Sequence, residues 1–171
     1  MSYEPPTGTI LGLLRTTIGT STTIGVAPDT LVVTWKSKPE APVLRYLSSQ
    51  SAELPAVVLE PGETEQTPGP GANVLECRLP VTISLALKRS TLTSTAGGEQ
   101  TIHRCLREIG ETVVGALMDA GPALGSDDLY SFDVGAFGSD EETPELLERT
   151  DIGVYRIECE AVYLQLRPRP A

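Results

Sequence analysis

The side chains most able to carry chemistry are carboxylates in two predicted loops. Their oxygens suit a hard cation, and they are Asp127, Asp128, Asp140, Glu141, Glu142 and Glu145. Neither loop follows the twelve-residue pattern of an EF-hand. The chain also has few aromatic residues, two Phe, five Tyr and one Trp, which argues against a glycosidase cleft with paired carboxylates. We therefore interpret these residues as solvent-exposed loop acids and predict no metal site.

The sequence has few of the residues and motifs that nucleophilic catalysis or cofactor binding requires. His103 is the single histidine and lies on the predicted polar side of a helix, which weakens any Ser-His-Asp arrangement. The three cysteines are far apart and form no Cys-x-x-Cys pair, so we expect small buried thiols; they are Cys77, Cys105 and Cys159. The sequence has no nucleophile elbow and no phosphate-binding loop. These observations predict a binding or structural protein without cofactor, rather than an enzyme.

The charge and the apolar runs of the chain argue against two further classes, nucleic-acid-binding proteins and membrane-spanning proteins. The 171 residues carry a formal net charge of −10 and no cluster of Lys and Arg, which disfavours nucleic-acid binding by the surface as a whole. No apolar run reaches the ~20 residues that span a membrane, and the first residues lack a basic signal-peptide region. We expect synthesis in a cytoplasm and one domain over 1–171, with a flexible arm at 1–8 and an extended tail at 167–171.

One stretch, 73–90, organises the predicted fold. Seven apolar residues alternate there with polar ones, as in a long β-strand with one buried face; they are Leu75, Cys77, Leu79, Val81, Ile83, Leu85 and Leu87. Pro80 lies on the outward phase and has no N–H to donate, so it predicts an edge, a bulge or a bend. A second long strand is predicted at 152–166, with Tyr155, Ile157, Cys159, Ala161 and Tyr163 on one face.

The end of the second strand suggests an interface. Val162, Leu164 and Leu166 make its other face apolar as well. A strand that is apolar on both faces needs cover on both sides. A partner subunit is one way to supply that cover.

The remaining elements complete an α+β pattern. Apolar residues at helical spacing predict a helix at Ile10–Ile18 and a longer one at Ile102–Ala120. Shorter strands are predicted at 31–35, 43–47, 54–62 and 129–134. The acidic, Pro- and Gly-rich stretch 63–72 predicts a mobile loop. The expected architecture is an antiparallel or mixed sheet with two amphipathic helices packed on one face and long acidic loops.

The order of these elements resembles the tail terminator proteins of long-tailed bacteriophages, the lambda-type family that caps the tail tube. The resemblance is carried by the helix Ile10–Ile18 and by the strand Leu54–Glu63, which ends in Pro-Gly-Glu. The long strand Leu75–Lys88, the helix Glu99–Ala120 and the strand Asp151–Leu166 complete it. These segments cover most of the chain.

The resemblance implies a structural virion protein that forms a ring, expected to be a hexamer, on the finished tube. Its implied partners are further copies of itself, the tail tube protein and the head–tail connector. Genomic DNA would pass through the hole, and acidic loops would repel its phosphates. The loops 62–72 and 138–144 are candidates for axial or ring-to-ring contacts. The candidate interface residues are Glu63, Glu65, Asp140, Glu141, Glu142, Val162, Leu164 and Leu166.

Four alternatives remain open. One is another neck or minor tail component, such as a head-completion or tube protein. A second is a small α+β enzyme or ligand-binding module with a carboxylate site, which predicts a monomer or dimer with a concave pocket. A third is a toxin–antitoxin or regulatory domain, although the basic or heptad surface typical of that class is absent. The fourth is an acidic soluble domain with some other role.

Overall fold

The computed structural model describes residues 6–24, 31–35, 54–88, 102–120, 131–139 and 152–166. In chain order the elements are α1 (Pro6–Ile18), β1 (Ser21–Ile24), β2 (Leu31–Thr34), β3 (Ala56–Pro61), β4 (Glu65–Pro68), β5 (Val74–Lys88), α2 (Ile102–Ala120), β6 (Ser131–Ser139) and β7 (Ile152–Leu166). Strands β1 and β2 form a two-stranded sheet. The others form a five-stranded sheet in the order β3-β5-β7-β6, with β4 also beside β5. All described pairings are antiparallel, which confirms the predicted α+β class.

Strands β5 and β7 form the centre of this sheet. Each has fifteen residues, and they pair along their whole length, from Val74 opposite Leu166 to Lys88 opposite Ile152. The odd-numbered side chains of β5 from Cys77 to Leu87 are at most 1% exposed. The alternating pattern therefore predicted both the strand and its buried face correctly.

Both helices contribute to a single core with that buried face. Helix α1 supplies Ile10, Leu11, Leu14 and Ile18, and α2 supplies Leu106, Ile109, Val113, Val114 and Leu117. Helix α2 touches the sheet at Gly110, which lies against Tyr155 of β7. The prediction of two amphipathic helices packed with the sheet is confirmed. Helix α1 begins at Pro6, earlier than the arm predicted for residues 1–8, because proline is well tolerated in a first helical turn.

The β1–β2 ribbon is held against the core by Trp35. The backbone N–H of Trp35 donates to the Thr20 carbonyl at 3.0 Å, and its indole Nε1–H donates to Oγ1 of Thr22 at 3.1 Å. Trp35 and Thr22 are each 6% exposed. The single tryptophan is thus part of the hydrophobic core. Strand β1 was not predicted, because the Ser/Thr run carries no apolar alternation.

The second face of the sheet, which lies away from the helices, is buried at one end and exposed at the other. At one end its residues are buried: Ala56, Val58, Ser84, Ala86 and Val154. At the other end Arg78 and Pro80 are exposed, while Glu76 and Glu160 are half-buried. Residues Ala56–Leu59 of β3 are buried on both faces, which explains why β3 reads as a continuous apolar run.

Strand β4 lies in the segment expected to be an unpaired loop. Its register places Glu65 opposite Arg78 and Pro68 opposite Leu75. The turn that follows is closed by the Gly69 N–H, which donates to the Val74 carbonyl at 2.8 Å. A β-carbon at Gly69 would lie 2.9 Å from that carbonyl oxygen, so the turn needs glycine. Strand β6 also extends further than expected, to Ser139.

Pro80 marks the point at which β5 exchanges one neighbour for another. Strand β3 pairs with β5 up to Val81, and β4 pairs with it from Arg78. Between them the Pro80 carbonyl accepts from the Gly62 N–H at 2.8 Å. The missing N–H of Pro80 therefore faces the β3–β4 connection, and the β5–β7 ladder continues past it.

Some expectations fall outside the described residues. These are the strand at 43–47, the tail at 167–171 and most of the loop at 138–144. Among the described helices, none is long and apolar enough to cross a membrane.

Candidate assembly surface

The predicted interface residues Glu63 and Glu65 lie on exposed positions beside the exposed end of the sheet. Glu65 begins β4 directly opposite Arg78 of β5. Residues that are directly opposite in an antiparallel pair share a face. Glu65 therefore projects from the second face of the sheet, the face away from the helices.

Arg78 is the centre of a charge network on this face. Its Nη1 donates to Oε1 of Glu160, and its Nη2 donates to Oε1 of Glu76, each at 3.0 Å. The hydrogen bond to Glu76 and the attraction of Glu160 raise the pKa of Arg78 above its ordinary value. The side chain is 45% exposed, so solvent screens these ion pairs and they add little to stability. Their main effect is to fix the orientation of the three side chains.

The surrounding surface is strongly acidic. The register places six carboxylates on this face, which we call the acidic face: Glu60, Glu65, Glu76, Asp133, Glu158 and Glu160. The described cations that share it are Arg78 and, towards the buried end, Arg156. The acidic face is therefore a surface of net negative charge, to which all five strands of the sheet contribute. Arg78 and its ion pairs were not predicted as part of the site.

The three apolar candidates on β7 differ in exposure. Val162 is 4% exposed, although it lies on the second face of the sheet opposite Arg78. Leu164 is 40% exposed and is among the most exposed large apolar side chains described. The side chain of Leu166 is outside the described part of the structure. Val162 is thus covered within the subunit, whereas Leu164 presents apolar surface beside Glu76, its cross-strand neighbour.

The other predicted residues are not brought to this surface by the described structure. Asp140, Glu141, Glu142 and Glu145 lie outside the described residues, as do Asp127 and Asp128. His103 and Cys105 belong to α2, but their side chains are not described. Across the described ranges, no three His, Cys, Asp or Glu residues are grouped so as to hold a metal ion.

The two described thiols are buried, as expected. Burial raises the pKa of Cys77, and burial with a smaller effect of Glu158 raises the pKa of Cys159 to about 12. Cys77 donates a weak hydrogen bond to Oε1 of Gln165 at 3.7 Å. Both thiols stay protonated near neutral pH, and thiolate nucleophiles are therefore disfavoured at these positions.

Comparison with known proteins gives no assignment. The sequence matches no protein-family model, and a search of curated proteins finds no significant relative.

Proposed function

We propose that this chain is a structural subunit that caps a bacteriophage tail tube as a ring, in the manner of the lambda-type tail terminators. The observation that carries the proposal is the order and length of the elements. A short helix α1 precedes β3, which runs into a Pro-Gly-Glu turn; the long β5, helix α2 and the long β7 then follow. This is the order of elements on which the resemblance rests.

The charge distribution supports a role beside passing DNA. The acidic face carries six carboxylates, and the whole chain has a net charge of −10. A conduit for DNA must not hold the phosphates that move through it, and negative charge near the passage reduces such adhesion. In this proposal Glu63 and Glu65 lie near the axis or near the ring-to-ring contact.

The apolar surface supports contact with identical neighbours. Leu164 is 40% exposed near the end of β7, and a neighbouring subunit in a closed ring would cover it. Such a ring joins two different surfaces of each subunit. The proposed partners are other copies of the chain, the tail tube protein on one side and the head–tail connector on the other, and the proposed location is the virion.

Light scattering on a sizing column, across protein and salt concentrations, tests the proposal. We expect six times the subunit mass, or a shift from one to six subunits as the concentration rises. Negative-stain images of that fraction should show rings with a central hole. A protein that stays at one or two subunits under every condition, and whose melting temperature rises with a small ligand or divalent ion, would overturn the proposal. Such a result would favour a ligand-binding domain.

A further inference from the structure

Strand β6 forms one edge of the five-stranded sheet. Among the described strands β6 pairs with β7 alone. Asp133, Gly135, Ala136 and Phe137 are exposed along it, and Phe137 is 48% exposed. An exposed strand edge presents backbone N–H and C=O groups that a further strand can pair with.

The opposite edge of the sheet, formed by β3 and β4, is protected against strand addition. Strand β3 ends the strand order, yet Ala56, Val57, Val58 and Leu59 are each 0% exposed. Strand β4 covers the rest of that edge with four residues. It ends in Pro68, which has no N–H, and begins with the charged Glu65. Proline and charge on an edge strand both discourage strand addition.

Strand β6 lacks most of these protective features. Its nine residues include no Lys, Arg or Pro, and Asp133 is its one charged side chain. A β-bulge between Val134 and Phe137 divides it into two arms. The bulge increases the local twist, but both arms remain accessible for pairing.

We propose that β6 pairs antiparallel with β6 of a second copy, across a two-fold axis at the bulge Gly135–Ala136. Two-fold contact uses one segment twice, so the β6 edge supplies both halves of the interface. The arms are matched in this arrangement, because residues 132–134 of one copy face residues 137–139 of the other. The result is a continuous sheet through both subunits.

Electrostatics favours a second copy at this edge over the acidic face of the same sheet. Two subunits that each carry a net charge of −10 repel each other. The acidic face concentrates that repulsion, whereas β6 exposes a single carboxylate. Pairing about the bulge places Asp133 opposite Gly138 of the other copy. The two Asp133 residues are then about 16 Å apart along the strands, at ~3.3 Å per residue, which is beyond the screening length at physiological salt.

This contact goes beyond the proposed ring and does not depend on it. A ring contact joins two different surfaces, whereas the β6 contact joins one surface to itself. Edge pairing therefore gives pairs of subunits, or pairs of rings where rings form.

Cysteine cross-linking tests the two-fold axis directly. Ala136→Cys places a thiol next to the axis, and Asp133→Cys places one on the same strand but too far from its own copy for a disulfide, which needs a Cα separation below ~7 Å. Under mild oxidation we expect at least tenfold more covalent dimer from Ala136→Cys than from Asp133→Cys or the wild type. Equal cross-linking, or none from Ala136→Cys, would overturn the proposal.

A charged substitution at the β6 edge distinguishes the proposed β6 pairing from the proposed ring. Phe137→Lys adds charge at the β6 edge, and Val32→Lys adds the same charge at another exposed apolar strand residue, 55% exposed on β2. We expect Phe137→Lys to weaken pairing at least tenfold in light scattering and Val32→Lys to leave it unchanged. A six-fold mass that is the same in both variants would support the ring and contradict β6 pairing. A two-fold mass that Phe137→Lys abolishes, without any six-fold species, would support β6 pairing and contradict the ring.

Discussion

Gly110 of α2 lies directly against the aromatic ring of Tyr155 on β7. A β-carbon built at position 110 would overlap the ring atoms Cδ1, Cε1 and Cζ. At Gly115, on the same helix, a β-carbon would meet nothing within 4 Å. The absence of a side chain at position 110 therefore sets how closely α2 approaches the sheet, while Gly115 is not required by packing.

Alanine substitutions at these two glycines should have opposite effects on stability. Gly110→Ala gains up to ~1 kcal/mol of helix propensity but forces a shift of a packed ring, which costs about 1–3 kcal/mol. We expect a net loss in the free energy of unfolding. Gly115→Ala should gain up to ~1 kcal/mol. Urea denaturation measures both, and equal stability of the two variants would show that α2 lies further from Tyr155.

The buried hydrogen bond between Trp35 and Thr22 can be tested by removing its acceptor. Thr22→Val keeps the shape of the side chain but leaves the indole N–H unpaired in the core, which should cost about 1–3 kcal/mol. Thr23→Val is the matched control, because Thr23 is the exposed next residue on β1. Trp35 is the single tryptophan, so its fluorescence reports unfolding directly. Equal midpoints for the two variants would contradict the bond.

Stability should decrease in alkaline solution because of Cys159. Its pKa in the folded protein is about 12, against an ordinary value of 9.0. The unfolded chain therefore loses this proton first as the pH rises. The stabilising contribution is complete below pH 9 and is lost between pH 9 and about 12, at up to ~1.4 kcal/mol per pH unit. The raised pKa values of Cys77 and Tyr155 act in the same direction.

Urea midpoints at pH 8, 9.5 and 10.5 measure this loss, with Cys159→Ala as the comparison. The variant should be less stable at pH 8, because a buried side chain is truncated. Its stability should fall less steeply above pH 9 than that of the wild type. Parallel curves for the two proteins would show that Cys159 does not carry the effect.

Val162 and Leu164 provide a test of the proposed ring contact. Val162→Asp places a charge in a covered position and should destabilise the subunit by several kcal/mol. Leu164→Asp changes an exposed side chain and should alter stability by no more than ~0.5 kcal/mol, while it reduces the six-fold species in light scattering. If Leu164→Asp assembles at the wild-type concentration, Leu164 lies outside the ring contact.

The long strands were predictable because their alternation continues over many residues. In β5 and β7 the apolar phase runs without interruption through the core positions, and a period of two has no helical interpretation. Strand β4 has no such signal. Glu65, Gln66, Thr67 and Pro68 are polar or lack a donor, and their pairing depends on the turn at Gly69, which returns the chain along β5.

The ion pairs on the acidic face could not be predicted from the alternation of apolar and polar residues. The pattern placed Glu76, Arg78 and Glu160 on outward phases, but not beside one another. Arg78 and Glu160 are 82 residues apart in sequence, and their contact follows from the register that sets Arg78 opposite Val162. Register comes from packing across the whole sheet, so the ion pairs could not be derived from strand phases alone.

The full-length pairing of β5 with β7 has a consequence for the nascent chain. Strands β3, β4 and β5 can pair once residue 88 has left the ribosome, but the inner edge of β5 must wait for residue 166. At ~5–20 residues per second, synthesis of that interval takes roughly 4 to 16 s. During that time an apolar strand of fifteen residues has no central partner, a condition that favours misassembly between chains. The pairing of β5 with β7, which holds the core of the folded protein together, is thus also the step at which a growing chain is most exposed to misassembly.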